Sequence, residues 1–313
     1  MSTLSAGPRS TVTRLVVGSA LMLFMELALI RWLGSNVVHL SYFSNFVLLG
    51  SFLGIGAGFL ISRKEWSIVP WTPPLLAVLV FVVWAFPVTI DRTGDGIIYF
   101  TSLSAQGPPA WLALPVIFLL VAAILAGPGE VVGRCFAELE NLNAYRWDLV
   151  GSILGISLFT LLSFLRAPSV VWGVLVAVAL VWLAWGRHRL VAVVAGVAIV
   201  GSLLAETVTP GVTWSPYYKV TQRDVGRSSD GNPLHLITVN GIPHQLMGSA
   251  EYKLNEAELL YRTPYERMAA PTPGRVLIIG AGSGSDVAIA LQQGAESVDA
   301  VDIDPRIWRS APS

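Results

Sequence analysis

Seven apolar stretches, each about 16 to 24 residues long, occupy the first two-thirds of the chain. A helix needs about 20 residues to cross roughly 30 Å of hydrocarbon, and in that solvent only helices satisfy their own backbone. Of the 313 residues, 54% are hydrophobic and only 13% are charged, whereas soluble domains carry about 25% charged residues. The sequence therefore predicts a polar tail at residues 1–10 and a multi-pass α-helical membrane bundle of about seven helices over residues 11–207. The stretches are 13–32, 42–62, 70–90, 110–125, 149–165, 170–185 and 190–204.

Glu26 and Asp148 are two carboxylates that lie within or beside these stretches. Glu26 is near the middle of the first, and an intramembrane carboxylate is costly enough to suggest amine binding or proton relay. An interhelical hydrogen bond that fixes packing is an equal alternative. Asp148 lies at the mouth of the fifth stretch, where a carboxylate that complements the helix dipole is the favoured interpretation. Glycines four residues apart predict close helix contacts, at positions 50, 54, 58, 151 and 155.

The chain changes character after Glu206, where charge density rises. Residues 208–271 are predicted to form a β-rich segment. Its signals are strands at 217–221 and 235–239, with a hairpin turn at Asn240-Gly241. A helix is predicted over residues 251–268.

Residues 272–313 hold the stretch with the most recognisable chemistry. A strand at 276–279 runs into a glycine-rich turn, a helix that begins at Asp286, and a second strand at 298–301 that ends in Asp302. This is the layout of a nucleotide-binding crossover, so we predict an incomplete α/β Rossmann-like unit. Backbone amides can approach a ligand closely where glycine has no Cβ, and the helix N-terminus behind them favours electron-rich groups. The carboxylate at the end of the second strand is placed to accept hydrogen bonds from ribose hydroxyls. The predicted nucleoside-binding residues are Gly280, Gly282, Ser283, Gly284, Asp286 and Asp302.

The spacing of the turn narrows the ligand class. A dinucleotide fingerprint has glycine two and five positions after the first, but here Ser285 occupies the fifth position and the third glycine is Gly284. The G-x-G-x-G form is closer to folds that bind S-adenosylmethionine than to those that bind NAD. The net charge of +0 suggests no nucleic-acid partner, and the single Cys135 supplies no metal cluster or intrachain disulfide.

The order of several motifs resembles the spermidine synthase (polyamine aminopropyltransferase) family, in particular bacterial members with an N-terminal multi-pass membrane domain. These motifs are Ser215-Pro216-Tyr217-Tyr218-Lys219-Val220, Val239-Asn240-Gly241 with Gln245, Tyr261, the glycine turn with Asp302, Glu26 with Arg31, and Tyr145-x-x-Asp148-x-x-Gly151.

The resemblance implies transfer of an aminopropyl group from decarboxylated S-adenosylmethionine, a co-substrate, to the small polyamine putrescine. It implies contact of Gln245 and Tyr261 with the substrates, and placement in the bacterial inner membrane with the lipid bilayer as partner. The resemblance implies no metal. It leaves the oligomeric state open, and a homo-oligomer is one possibility. The sequence departs from the family at Ser283, where an Asp is usual, and at residues 261–263. The family's proton-accepting carboxylate falls on a later strand, beyond Ser313. No catalytic residue is therefore assigned, and we expect a C-terminally truncated member with impaired activity.

Three other functional classes stay open: a methyltransferase-like enzyme that uses the same turn, a membrane module that binds or transports polyamines, and an inactive remnant.

Loop charges predict the orientation of the bundle. The basic loop residues fall mainly on one side, which the positive-inside rule places in the cytoplasm with the N-terminus. These residues are Arg9, Arg14, Arg63, Lys64, Arg134, Arg187 and Arg189. Seven crossings would then leave the C-terminal part outside, away from cytosolic nucleosides. We expect a cytoplasmic C-terminal part, which requires that the seventh stretch does not cross or that an additional partial crossing lies within residues 127–146.

Overall fold

The structure is a computed structural model that describes residues 8–90, 105–184, 188–256 and 259–308. It divides into two compact units, Met1–Val88 with Gly107–Thr209, and Thr89–Gln106 with Pro210–Ser313. The division after Thr209 lies close to the boundary predicted after residue 207. The described residues Thr89–Ile90 and Ala105–Gln106 belong to the second unit, although the sequence pattern placed them inside the membrane domain.

The first unit consists of apolar helices. Among the described residues, four helices are long and apolar enough to cross a membrane, which confirms a mostly helical chain and indicates membrane association. These four are α1 (Pro8–Asn36), α5 (Ala110–Glu138), α6 (Asn141–Phe164) and α8 (His188–Thr207). Helices α3, α4 and α7 have 18, 14 and 15 residues. The helices are α1 (Pro8–Asn36), α2 (Val38–Tyr42), α3 (Ser44–Ile61), α4 (Thr72–Ala85), α5 (Ala110–Glu138), α6 (Asn141–Phe164), α7 (Ser169–Leu183) and α8 (His188–Thr207).

Helix α6 shows how this unit distributes side-chain size. Small residues such as Gly151 and Gly155 are buried against the other helices. Large apolar residues on the outer face are exposed, including Ile153 at 54%, Leu161 at 55% and Phe164 at 63%. A soluble protein rarely exposes so large an apolar surface, whereas small residues inside let membrane helices approach closely. The packing is therefore that of helices surrounded by lipid.

The glycines of α3 and α6 set the close helix contacts, as their spacing predicted. A Cβ added at Gly54 would lie 2.2 Å from the carbonyl oxygen of Ala122, and one at Gly58 would lie 2.3 Å from that of Ala126. A Cβ added at Gly155 would lie 2.3 Å from the carbonyl oxygen of Ala20. In each pair, later residues of one helix contact later residues of the other. Helix α3 therefore runs parallel to α5, and α6 runs parallel to α1.

Hydrogen bonds define the two ends of the helical unit. At one end the Thr11 hydroxyl of α1 donates to Glu138, the last residue of α5, at 2.9 Å. At the other end the indole of Trp32, also in α1, donates to Glu206 of α8 at 2.9 Å. The 21 residues from Thr11 to Trp32 span about 31 Å of helix. Helices α1 and α8 therefore run the same way, and Thr207 lies at the end remote from Thr11.

This direction bears on the predicted orientation. Arg134 lies on the last turns of α5 and donates through Nη2 to the carbonyl oxygens of Lys64 and Trp66, at 3.0 and 3.1 Å. The basic loop residues therefore gather at the end where α1 begins. This arrangement therefore does not place the N-terminus and the residues after Thr207 on the same, cytoplasmic side of the membrane.

The segment at 127–146 differs from the expectation of a partial crossing. Helix α5 continues through Pro128 as far as Glu138, and α6 begins at Asn141. Asp148 therefore lies two turns inside α6 rather than at its N-terminus. Its carboxylate accepts a hydrogen bond from the Ser19 hydroxyl of α1 at 2.5 Å, so it joins two helices and does not complement a helix dipole.

In the part of the chain that the structure describes, the second unit contains three small sheets. Strands β3 to β6 form an antiparallel sheet in sequence order, and β7 pairs in parallel with β8, joined by helix α11. The strands are β1 (Thr89–Ile90), β2 (Ala105–Gln106), β3 (Val212–Trp214), β4 (Lys219–Arg227), β5 (Pro233–Val239), β6 (Ile242–Met247), β7 (Arg275–Ile279) and β8 (Ser297–Val301). The helices are α9 (Ala250–Asn255), α10 (Thr263–Glu266), α11 (Ser285–Gln292) and α12 (Pro305–Trp308).

The Asn240-Gly241 turn has the predicted geometry, because both residues have positive φ, at 50° and 77°, as a type I′ hairpin turn requires. The long helix predicted over residues 251–268 is wrong. Two short helices, α9 and α10, and a 3₁₀ turn at Leu259–Tyr261 lie there instead. Pro264 explains part of the break, because it donates no amide hydrogen bond and restricts the residue before it.

Candidate functional site

The glycine turn between β7 and α11 is shaped by its backbone. Gly280, Gly282 and Gly284 all have positive φ, at 77°, 55° and 85°, a region that residues with a Cβ rarely adopt. The amide of Gly280 donates to the carbonyl oxygen of Val301, at the end of β8, at 2.8 Å. The turn is therefore fastened to the edge where the predicted acid follows β8.

That acid, Asp302, is joined to the turn directly. Its Oδ2 accepts the amide of Gly282 at 2.8 Å, and its Oδ1 accepts the amide of Asp304 at 2.7 Å. The side chain is half-buried. Two backbone donors fix its orientation, and since a carboxylate offers about four acceptor positions, about two remain for other donors such as hydroxyls.

Gln245 also meets the turn, from β6. Its Oε1 accepts the amide of Ser283 and its Nε2 donates to the Ser285 hydroxyl, both at 3.1 Å. A Cβ added at Gly282 would lie 2.6 Å from this Oε1. The β5–β6 hairpin thus brings Gln245 onto a turn about 38 residues further along the chain. The amides of Gly282 and Ser283 are both bonded to the protein's own side chains.

Two polar atoms of this region are buried without a hydrogen-bond partner in the part of the chain that the structure describes. They are the Ser283 hydroxyl and Oδ2 of Asp304, in residues that are 3% and 1% exposed. The other oxygen of Asp304 accepts the amide of Arg306 at 2.8 Å, which caps α12. The sequence analysis did not assign Asp304 to the site.

Asp286, Tyr265 and Tyr261 occupy different positions in the second unit. Asp286 lies in the first turn of α11. Burial, and secondarily the charge of Asp286, raises the pKa of Tyr265 above its ordinary value. Tyr261, the predicted substrate residue, instead accepts a hydrogen bond from Lys253 at 3.3 Å, and that ammonium lies 4.6 Å from its ring centroid.

In the helical unit, Glu26 lies in the most buried seam of α1. Residues at a spacing of three and four along this helix are all less than 8% exposed: Leu15, Ser19, Met22, Glu26, Leu29 and Leu33. Oε1 of Glu26 has no hydrogen-bond partner among the described residues. Arg31 does not share this face; its guanidinium lies 5.2 Å from the ring centroid of Trp172.

Two further buried carboxylates of this unit were missed by sequence reasoning. Glu206 accepts hydrogen bonds from the Trp32 indole and, at 2.8 Å, from the Ser169 hydroxyl. Glu130 is fully buried; its Oε1 pairs with Nε of Arg134 and its Oε2 accepts the amide of Ile68, both at 2.7 Å. Each lies near the end of an apolar stretch, where a polar residue gives no signal of its burial.

The residues that the structure describes contain no group of three or more His, Cys, Asp or Glu that could hold a metal ion. Cys135 is buried and free. Comparison of the chain with family models, curated proteins and solved structures found no match.

Proposed function

We propose that this protein is a membrane-associated transferase that binds an adenosyl donor at the glycine turn and transfers an aminopropyl group from decarboxylated S-adenosylmethionine to putrescine. The observation that carries the proposal is the hydrogen-bonded junction of the glycine turn with Asp302 and Gln245. Residues that sequence reasoning assigned separately to the nucleoside and to the substrates thereby meet in one place. The family resemblance supplies the reaction.

The chemistry of such a transfer asks mainly for positioning. The amine nitrogen attacks the carbon next to the sulfonium, the C–N bond forms as the C–S bond breaks, and methylthioadenosine leaves with the electron pair. The attacking amine loses a proton. Holding the two reactants in line supplies much of the barrier reduction.

Each residue of the junction has a role in this proposal. Asp302, already oriented by two amides, accepts hydrogen bonds from the ribose hydroxyls. Gln245 contacts the bound substrates through its amide, in exchange for its bonds to the turn. The turn itself lets the ligand approach without interference from a Cβ. The acceptor of the amine proton is not assigned.

Binding of methylthioadenosine, the reaction product, tests the nucleoside site without requiring turnover. Calorimetry on the detergent-solubilised full chain should show binding, and Asp302→Asn should weaken it by about 10- to 100-fold, since a hydrogen bond to a charged group contributes about 1.5–3 kcal/mol. Asp299→Asn is the matched control, because Asp299 is an exposed residue of β8, the strand that Asp302 follows. Absence of binding, or equal loss in both variants, would refute the proposal.

Turnover assays separate the enzymatic alternatives. Release of methylthioadenosine in the presence of putrescine supports aminopropyl transfer, whereas methyl transfer from S-adenosylmethionine supports a methyltransferase that uses the same turn. The side of the membrane matters as well, because adenosyl donors are cytosolic. If a cysteine introduced after Thr207 is labelled in intact cells by a reagent that cannot cross the membrane, both enzymatic alternatives are contradicted.

The buried carboxylate of Glu26 favours a second candidate, a membrane module that binds or transports polyamines. Proteoliposomes that contain the full chain should then take up putrescine, and Glu26→Gln should abolish uptake while methylthioadenosine binding persists. If neither the wild-type chain nor Glu26→Gln takes up putrescine, this candidate is excluded and the transferase proposal is unaffected.

A further inference from the structure

The helical unit contains a mostly apolar cavity at the end where α1 begins, and several charged residues contribute to its lining. Its volume is about 280 Å³. The charged and polar residues that line it include Arg14 of α1, Thr72 of α4, Glu130 and Arg134 of α5, and His188 of α8. The cavity lies entirely within the first unit and shares no residue with the glycine turn.

The charges that line the cavity favour an anion. The carboxylate of Glu130 is already bound by Nε of Arg134 and by the amide of Ile68, so the positive charge of Arg134 is compensated. Arg14 adds a second guanidinium, which leaves the lining with a surplus of one positive charge, and its side chain is exposed. His188 is the first residue of α8, and the N-terminus of this 20-residue helix adds partial positive charge.

The Thr72 hydroxyl is not available to an anion in the cavity. Thr72 is 1% exposed, and a Cβ added at Gly127 of α5 would lie 1.8 Å from its Oγ1, so this hydroxyl packs against the backbone of α5. Arg14 and Arg134 are the cationic side chains that an anion in the cavity would meet.

The remaining walls are apolar, from Pro73, Val131, Leu180 and Leu183 among others. We propose that this cavity binds a phosphate or carboxylate group whose attached carbon chain lies against these walls. The group belongs either to an anionic lipid headgroup, since the cavity lies at an end of membrane helices, or to a small soluble metabolite. A volume of about 280 Å³ is near the lower limit of ligand pockets and suits a single such group.

The test uses the full chain and two probes. Glycerol 3-phosphate is added to the protein in a neutral detergent, and phosphatidylglycerol is offered in nanodiscs against phosphatidylcholine. Binding is followed by thermal unfolding and by native mass spectrometry. Stabilisation by glycerol 3-phosphate supports a soluble ligand, whereas stabilisation and retention of phosphatidylglycerol alone support a lipid.

Variants connect either result to the cavity. Arg14→Gln should raise the Kd of the effective probe about tenfold or more without loss of folding, because Arg14 is exposed. Arg189→Gln is the matched control, since Arg189 is an exposed cation next to His188 that does not line the cavity. Binding of neither probe, or an equal effect of Arg14→Gln and Arg189→Gln, would overturn the proposal.

Discussion

Replacement of Gly54 by alanine should separate helices that now touch backbone to backbone. The new Cβ would lie 2.2 Å from the carbonyl oxygen and 2.8 Å from the Cα of Ala122, whereas carbon atoms in van der Waals contact stand about 3.5–4.0 Å apart. Helix α3 would have to move away from α5 by about 1 Å. Overpacking of this kind costs about 1–3 kcal/mol.

The same helix offers a matched control in Gly56. A Cβ added there meets no atom within 4 Å. Both substitutions gain the same helix propensity, about 1 kcal/mol, so the difference between them isolates the steric cost. Gly54→Ala should therefore be less stable than Gly56→Ala by about 1–3 kcal/mol.

Reversible unfolding of the purified protein in mixed detergent micelles measures this difference. Gly58→Ala should behave like Gly54→Ala, because its Cβ would lie 2.3 Å from the carbonyl oxygen of Ala126. Equal stability of the three variants would refute the parallel α3–α5 packing and the argument from glycine spacing with it.

Two more predictions concern carboxylates outside the proposed nucleoside site. Glu130→Gln should destabilise the protein by about 1–3 kcal/mol, because Arg134 loses its buried ionic partner. Trypsin should then cut the loop between α3 and α4 faster. Glu65→Gln is the control, because Glu65 is exposed. A hydrogen bond from Ser228 is the largest of several that hold the pKa of Asp230 below its ordinary value. Asp230→Asn should therefore lower the melting temperature at pH 7, and the difference from wild type should shrink as pH falls below about 4; a difference that persists there would contradict this linkage.

Much of the local structure could be predicted from the sequence because it depends on neighbouring residues. The Asn240-Gly241 turn is one case, since both residues tolerate positive φ. The glycine turn is another, since Gly280, Gly282 and Gly284 follow a short apolar strand. The prediction of a helix over residues 251–268 was wrong because it relied on a weak apolar periodicity and gave too little weight to Pro264. The effect of Pro264 on the backbone is also local and could be predicted from the sequence.

The candidate site was only partly predictable. Gln245 and Asp302 were identified by motif order, but their hydrogen bonds to the turn depend on how the β5–β6 hairpin lies on it. Asp304 was not identified, because a carboxylate after a strand has no local signature of burial. Glu130 and Glu206 were missed for the same reason.

The sequence by itself determined that the first two-thirds of this chain is helical and suited to lipid, because a long apolar segment in hydrocarbon must satisfy every backbone polar group internally. It also determined where the bare turn lies. Only the tertiary structure decided which helices run side by side, at which end α8 finishes, and that Arg14, Thr72 and His188 line one cavity. These outcomes depend on contacts between residues far apart in the chain, and the free energy of such contacts comes from packing that no local pattern encodes.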